Sequence, residues 1–327
     1  MSSSIRPWVL CALWLGTVVA GMQAGARLAA AEKVLTIPAP ETTTLTTRDG
    51  VVLRCTFYPG GLLQKSAKEV VRVPGKQVVP VVILHGWEGQ RREFHPIAGL
   101  LQRLGHAVVV PDLRGHGEST KGAVPRERMG GGDINRMLLD VEAVRRFLLE
   151  RNNSGELNLN MLCLIGSKLG ALVAVNWAAL DWSRPQLPSY RPGRDVKALI
   201  LVSPVASFKG ATLNHSLQHP VFRGGVSVMI IAGKGERTGR SDATAIYNRL
   251  ERFQGTVQPK SASKGTVGKL LFLTPDTSLV GTDLLTAKGL TVQQDVVRFL
   301  QQRLVSRAES FPWSERKSPL SLDQPRP

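Results

Sequence analysis

The chain has 327 residues, of which 43% are hydrophobic and 20% charged, a balance typical of one large globular domain with tails. These proportions exclude a mostly disordered chain and a bundle of membrane helices. Lysine and arginine outnumber aspartate and glutamate by 42 to 25, which gives a formal net charge of +17. The basic residues are scattered and no nucleic-acid recognition motif accompanies them, so we interpret this charge as favouring solubility and expect no nucleic-acid partner.

The N-terminus has the layout of a secretory signal peptide. Arg6 precedes an apolar run from Trp8 to Met22, and small residues follow up to Ala31. The run is shorter than the roughly 20 residues needed to cross a bilayer, so we predict cleavage after Ala31 and not a retained anchor. Residues 1–31 are therefore predicted to be removed, leaving an exported protein, periplasmic or extracellular, without a transmembrane anchor.

Residues 32–77 are predicted to form an antiparallel hairpin followed by a polar loop. The hairpin runs from Thr42 to Phe57 around an Asp49-Gly50 turn, which supplies the backbone conformation that tight hairpins need. The loop spans residues 60–75. Both are expected to belong to the same domain as the residues that follow.

From Val78 onward, short apolar runs alternate with amphipathic segments, which predicts parallel strands covered by helices on both faces. This α/β core is assigned to residues 78–307. Strands are expected near residues 78–84, 107–110, 159–165, 196–202, 226–232 and 270–273, and helices near residues 91–104, 135–150, 169–180, 241–253 and 291–305. Residues 203–225 are too few for a large cap domain. The proline-rich residues 308–327 are predicted to be a disordered tail.

The chain contains three cysteines, one of which lies in the predicted signal peptide. Cys55 and Cys163 fall in predicted strands, where thiols usually serve as small buried apolar groups, so we do not expect a disulfide framework. No set of His, Cys or Asp residues has the spacing of a metal site. Neither a metal nor another cofactor is expected.

Three motifs lie at the predicted carboxyl ends of strands. These are His85-Gly86-Trp87, then Asp112-Leu113-Arg114-Gly115-His116-Gly117, and finally Gly166-Ser167-Lys168-Leu169-Gly170 at a strand-to-helix junction. Together they resemble the α/β-hydrolase superfamily, nearest to its serine-aminopeptidase-like and lysophospholipase-like branch. The resemblance implies an α/β-hydrolase fold, with a mostly parallel central sheet and an N-terminal antiparallel hairpin. It also implies a carboxylic ester or peptide hydrolase where the catalytic residues are intact.

The resemblance implies roles for several of these residues. The backbone N–H groups of Trp87 and Leu169 correspond to the oxyanion hole that stabilises the developing charge in acyl transfer. The residues expected to shape or brace the surrounding loops are His85, Gly86, Asp112, Arg114, Gly166 and Gly170.

The glycines of the third motif determine which residue occupies the nucleophile position. In this turn, the residues two before and two after the nucleophile must be very small, because strand and helix approach each other there. Gly166 and Gly170 satisfy that requirement only if Lys168 is central. Lys168 then stands where the family has its serine. A shifted turn that uses Ser167 as the nucleophile is kept as an alternative.

The resemblance also implies positions for the other two residues of the catalytic triad. Glu236 occupies the position of the acid, in the sequence Gly-Lys-Gly-Glu after the fifth parallel strand. No histidine follows the last strand, so Thr277 or Ser278 is expected to fill the place of the base. A Ser-His-acid mechanism needs an imidazole to carry the proton.

These two losses predict a hydrolase-family protein that is catalytically impaired or repurposed. We expect the Lys168 ammonium to pair with Glu236 or, failing that, with Asp276. Two alternatives remain: an active serine esterase, lipase or peptidase that uses Ser167 or an unusual set of residues, and a binding module for a small molecule or acidic ligand in the cleft.

Overall fold

The structure is a computed structural model that describes residues 35–67, 69–186, 191–254 and 269–316. The predicted signal peptide and residues 317–327 lie outside these ranges. Within them, no helix combines the length and the apolar character needed to cross a bilayer.

The strands form one large sheet and two small hairpins. Their bounds are β1 Glu41–Thr46, β2 Val52–Tyr58, β3 Leu62–Gln64, β4 Val70–Arg72, β5 Pro80–Leu84, β6 Ala107–Pro111, β7 Leu162–Ser167, β8 Val196–Val202, β9 Ser207–Phe208, β10 Ala211–Thr212, β11 Ser227–Ile231 and β12 Leu270–Leu273. The large sheet has eight strands in the order β1-β2-β6-β5-β7-β8-β11-β12. The β1–β2 and β2–β6 pairs are antiparallel and the remaining neighbours are parallel. The predicted hairpin and mostly parallel sheet are confirmed.

Helices cover both faces of this sheet. Their bounds are α1 His95–Arg103, α2 Gly131–Asn153, α3 Leu169–Ser183, α4 Thr238–Gln254, α5 Thr282–Thr286 and α6 Val292–Arg303. Successive residues of β5 alternate between two apolar cores: Val82 joins the core that includes α2, α3 and α4, whereas Val81 joins the core that includes α1, α5 and α6. Cys55 and Cys163 are buried free thiols in these cores. The inner strands β5, β6, β7 and β8 are therefore buried on both faces, whereas the edge strands β1 and β12 are partly exposed.

The connection between β8 and β11 is short. It contains the β9–β10 hairpin and two 3-10 turns, Ser216–Gln218 and Pro220–Arg223. A large cap domain is therefore absent from this connection.

Two segments differ from the sequence-based expectation. The predicted loop over residues 60–75 contains the small β3–β4 hairpin. Residues 308–316, predicted to be disordered, are ordered against the domain. We call residues 311–316 the C-terminal strap.

The C-terminal strap is held by side-chain amides that reach its backbone. Asn158 donates to the carbonyl of Phe311 over 2.8 Å and Asn152 donates to that of Ser314 over 3.0 Å. Arg316 is 4% exposed and pairs with the buried Asp195. The prediction of disorder is wrong for these residues because their hydrogen bonds use backbone carbonyls, which every sequence has, and so leave no pattern in the composition.

Candidate active site

Lys168 occupies the turn between β7 and α3. Its backbone has φ 50° and ψ −113°, a strained combination for a residue with a side chain. A Cβ atom on Gly166 would lie 2.5 Å from Cα of Ala171, and one on Gly170 would lie 2.7 Å from the carbonyl oxygen of His85. Both positions therefore require glycine. The structure places Lys168 at the centre of the turn, with its N–H donating to Val202 over 2.9 Å.

The Lys168 side chain is exposed and lies between two glycines from different loops. A Cβ atom on Gly86, in the loop after β5, would lie 3.3 Å from Cβ of Lys168. A Cβ atom on Gly281, in the loop after β12, would lie 2.8 Å from its Cε. The aliphatic part of the Lys168 side chain, which we call the lysine stem, thus passes between two loops at positions where each loop has a glycine.

Ser167, the alternative nucleophile, is the last residue of β7 and is 1% exposed. Its Oγ lies 3.0 Å from where a Cβ of Gly281 would be. The structure therefore places the Ser167 side chain against the loop after β12, one residue before the strained turn.

Glu236 follows β11 and is 5% exposed. Its Oε2 accepts a hydrogen bond from Oγ of Ser203 over 2.8 Å, and that hydroxyl accepts one from the N–H of Gly281, also over 2.8 Å. Burial raises the pKa of Glu236, while the Ser203 hydrogen bond and the charge of Lys168 act in the opposite direction. Ser203 thus links the acid to the loop after β12.

Ser203 and Gly281 were not singled out from the sequence. Ser203 has φ 45° and directly follows β8. A hydroxyl residue followed by Pro204 at the carboxyl end of a buried strand is the one signal that could have drawn attention to it.

The loop after β12 is arranged differently from the expectation. The carbonyl oxygen of Thr277 would lie 2.6 Å from a Cβ on Gly233, and Cα of Ser278 would lie 3.2 Å from one on Gly235. Thr277 and Ser278 therefore pack against the loop that carries the acid. The residue of this loop that faces Lys168 is Gly281, which has no side chain to replace the base.

The expected contact ion pair is not formed. Within the described part of the chain, no carboxylate oxygen lies within 4.0 Å of the Lys168 ammonium. Glu236 instead accepts a hydrogen bond from the hydroxyl of Ser203. Asp276 forms no ion pair with Lys168 either. A neutral hydroxyl satisfies the buried acid without the desolvation of a second charge, which gives a physical reason for this arrangement.

The two backbone groups of the expected oxyanion hole are unpartnered. Neither the N–H of Trp87 nor that of Leu169 donates a hydrogen bond to any residue that the structure describes. Leu169 directly follows Lys168, and Trp87 directly follows Gly86, which borders the lysine stem. The two N–H groups without a described acceptor therefore belong to residues adjacent to Lys168 and to Gly86.

A buried neutral histidine stabilises the loop that contains Trp87. His85 is fully buried, and burial lowers its pKa to about 4. Its Nε2 accepts from the N–H of Leu113 over 2.9 Å, so its Nδ1 carries the proton and donates to the carbonyl of Gly86 over 2.7 Å. His85 thus fixes the loop through both ring nitrogens.

The second motif braces the same loops through buried charges. Asp112 accepts from the N–H groups of Arg91 and Glu118 over 2.7 and 3.0 Å and pairs with the Arg91 guanidinium. Arg114 pairs with Asp140 and Asp49, each over 2.7 Å. These contacts hold the turn in place and direct none of the charged groups to Lys168.

No histidine takes the place of the missing base. His116 donates from Nδ1 to the carbonyl of Arg114 over 2.9 Å, and its ring lies 5.0 Å from that of Trp87. Among the described residues, no hydrogen bond joins a histidine to Lys168, Ser167 or Glu236. No cluster of three or more His, Cys, Asp or Glu suited to a metal ion occurs within the same ranges.

Aromatic surface lies beside the oxyanion loop. The ring of Phe208, from the β9–β10 hairpin, lies 5.1 Å from that of Trp87. The ammonium of Lys209 lies 4.2 Å from the centre of the Trp87 ring and donates to the carbonyl of Met129 over 3.2 Å. The hairpin is thereby fastened to the loop that carries one of the free amide donors.

The sheet order, the strained turn after β7 and the loops after β5 and β11 define an α/β-hydrolase fold. The model of the serine aminopeptidase S33 family, Hydrolase_4, matches residues 76–245, just over half of the 327-residue chain. The chain belongs to this family, which confirms the resemblance found in the sequence.

A curated relative matches over part of the chain. The zebrafish (Danio rerio) sn-1-specific diacylglycerol lipase ABHD11 is 32% identical over 109 residues, which cover 33% of this chain and 28% of the relative. The match therefore spans well under a third of the relative's length.

Solved structures share the fold over most of the chain. The Pyrococcus furiosus esterase Pf2001 has a TM-score of 0.56 at 17% identity and covers 81% of this chain and 91% of its own. A Pyrobaculum calidifontis esterase has a TM-score of 0.55 at 13% identity, with 84% and 86% covered. At these identities the likeness establishes the α/β-hydrolase fold alone.

Proposed function

We propose that the protein is an exported member of the serine aminopeptidase family that has lost hydrolytic turnover and uses the inherited cleft to bind a ligand. The observation that carries this proposal is Lys168 at the strained centre of the turn. An acyl-transfer nucleophile needs a free lone pair and a neighbouring base that takes its proton. The Lys168 ammonium has no such lone pair, and no base contacts it.

The connections of the acid support the same proposal. In a working triad the acid orients the imidazole. Here the hydrogen bond to Glu236 comes from Ser203, and the loop that normally supplies the base presents Gly281. The proton relay is therefore replaced by a fixed hydrogen-bonded link between two loops.

Export is the second part of the proposal and is supported by the charge and hydropathy layout of residues 1–31. Expression of the full chain with its leader in a secreting bacterial host tests it. We expect the exported protein to begin at Glu32 when its N-terminus is sequenced. An intact leader on the recovered protein would contradict the predicted cleavage.

An active serine hydrolase is the competing function, because Ser167 lies next to the turn and its Oγ faces the loop after β12. The test is turnover of p-nitrophenyl butyrate and of aminoacyl anilides by the native protein, Ser167→Ala and Lys168→Met. We expect all three to show the same background rate. A native rate that falls in Ser167→Ala would establish hydrolysis and end our proposal.

A fourth variant separates the two losses. Lys168→Ser restores a hydroxyl at the nucleophile position and leaves the base absent. We expect it to remain at the background rate, because the hydroxyl has no imidazole to accept its proton. Rapid turnover by this variant would show that the rest of the catalytic machinery is intact.

A further inference from the structure

We propose that the cleft at Lys168 binds a free carboxylic acid with an apolar tail, whose carboxylate is held by the Lys168 ammonium and the N–H groups of Trp87 and Leu169. The inference rests on the proposed function, because it needs a site that retains a carboxylate and does not turn over an ester. It identifies the chemical class of the ligand.

The donors of this site outnumber its free acceptors. The site contains one ammonium without a carboxylate partner and two amide N–H groups without acceptors among the described residues. The carboxylate of Glu236 is buried and accepts a hydrogen bond from Ser203. Three donors with no local acceptor favour an anion, and hydrogen bonds to a charged acceptor are the strong ones.

The hydrolase fold supplies a shape that suits a carboxylate. The two amides of an oxyanion hole converge on one oxygen of an acyl group. A carboxylate has a second oxygen attached to the same carbon, and in our proposal this oxygen contacts the ammonium at the nucleophile position. Gly86 and Gly281 add no side chain on either side of the lysine stem.

The rest of the ligand would lie against aromatic side chains. Trp87 and Phe208 are half-buried aromatic residues 5.1 Å apart beside the oxyanion loop. Lys209, over the Trp87 ring at 4.2 Å, adds a second positive charge. The surroundings therefore suit an anionic head group joined to an apolar tail, and an alkanoate has this form.

The test is isothermal titration calorimetry of the purified protein with sodium octanoate, octanamide and inorganic phosphate. We expect octanoate to bind at least ten times more tightly than octanamide, which has the same tail without the charge. We also expect phosphate to fail to displace octanoate at equal concentration. Equal affinity for octanamide, displacement by phosphate, or no octanoate binding at millimolar concentration would overturn the proposal.

Three variants assign the effect to the turn between β7 and α3, residues 166–170, which we call the elbow. Lys168→Met keeps the apolar stem and should weaken octanoate binding at least tenfold, whereas Lys168→Arg should bind within a few-fold of the native protein. Lys121→Met removes an exposed lysine from another loop and should leave affinity within twofold. Native affinity in Lys168→Met, with native near-ultraviolet circular dichroism, would contradict the assignment.

The two proposals fail in different ways. Ester turnover that depends on Ser167 would end the proposed function and this inference together. An absence of both ester turnover and octanoate binding would leave the loss of hydrolysis intact and reject only the carboxylate ligand.

Discussion

Charged side chains are paired at one end of the central sheet, and a charged side chain is unpaired at the other, among the residues that the structure describes. At the amino end, the fully buried Asp195 contacts Arg145 over 2.7 Å and also pairs with Arg316 of the C-terminal strap. Burial disfavours the charged carboxylate, yet the two arginines lower the pKa of Asp195 overall. At the carboxyl end, Lys168 is exposed, has a strained backbone and forms no ion pair with the described residues. The charged groups are paired at one end of the sheet, whereas Lys168 at the other end has no charged partner among the described residues.

A second contrast lies within the carboxyl end itself. The residues that brace the cleft keep their buried pairs, such as Arg114 with Asp140 over 2.7 Å. Glu236, at the position of the acid, is instead linked by neutral hydrogen bonds through Ser203 to Gly281 in a neighbouring loop. Buried ion pairs therefore hold the frame of the cleft, whereas neutral groups contact the acid within it.

The largest expected effect concerns this frame. Gly170→Val should cost more than about 3 kcal/mol of unfolding free energy or prevent folding, because its Cβ would lie 2.7 Å from the His85 carbonyl oxygen. Gly132→Ala, in α2 with no atom within 4 Å of the new Cβ, should be neutral or stabilising by up to about 1 kcal/mol. Urea denaturation measures both. A loss below 1 kcal/mol in Gly170→Val would mean that strand and helix can separate at the elbow.

The next largest effect is expected at the amino end of the central sheet, where Asp195 lies. Arg316→Met should cost about 3 kcal/mol, because it leaves the buried Asp195 with one cation instead of two. Arg298→Met is the matched control, since Arg298 pairs with Asp295 over 3.0 Å with its side chain 53% exposed, and should cost less than about 0.5 kcal/mol. Equal losses in the two variants would show that the strap contributes no more than a surface ion pair.

Much of the fold follows from short-range patterns. The apolar runs predicted β8 and β12 with the bounds that the structure shows, because strands that pack against covering helices are rich in apolar residues. Gly166 and Gly170 located the elbow because the close approach of strand and helix leaves no other choice.

The remaining features depend on contacts between distant segments. The C-terminal strap is held by asparagines more than 150 positions earlier in the chain. Ser203 meets Glu236 and Gly281 only after three strands have come together. No local pattern distinguishes such a serine or asparagine from an ordinary loop residue, so the sequence favoured a salt bridge between Lys168 and Glu236 that the structure does not form.

A smaller effect is expected at the elbow itself. Lys168→Gly should raise the free energy of unfolding by about 1 kcal/mol, because glycine adopts the positive φ at this position without strain. Lys121→Gly, at a position without positive φ, should be neutral or destabilising. Thermal and urea denaturation compare the two. A loss of stability in Lys168→Gly would indicate that the lysine contributes to folding and would remove the contrast between the two ends of the sheet.

The smallest effect is a dependence on pH. Because burial raises the pKa of Glu236 in the folded protein, its contribution to stability is present at low pH and is lost as pH rises through the folded pKa. Glu236→Gln keeps an acceptor for Ser203 and removes the charge. Its stability relative to the native protein should therefore increase from pH 4 to pH 7 in urea denaturation. A decrease over this range would place a stabilising carboxylate at Glu236.

Labelling with a fluorophosphonate probe, followed by peptide mass spectrometry, tests the loss of hydrolysis most directly, because the probe reacts with activated serines. We predict that neither Ser167 nor Ser203 in the native protein is labelled above the level of a heat-denatured sample. Stoichiometric labelling of Ser167 that is lost in Ser167→Ala would show that the protein retains an activated nucleophile, and would contradict the view that Lys168 has replaced it.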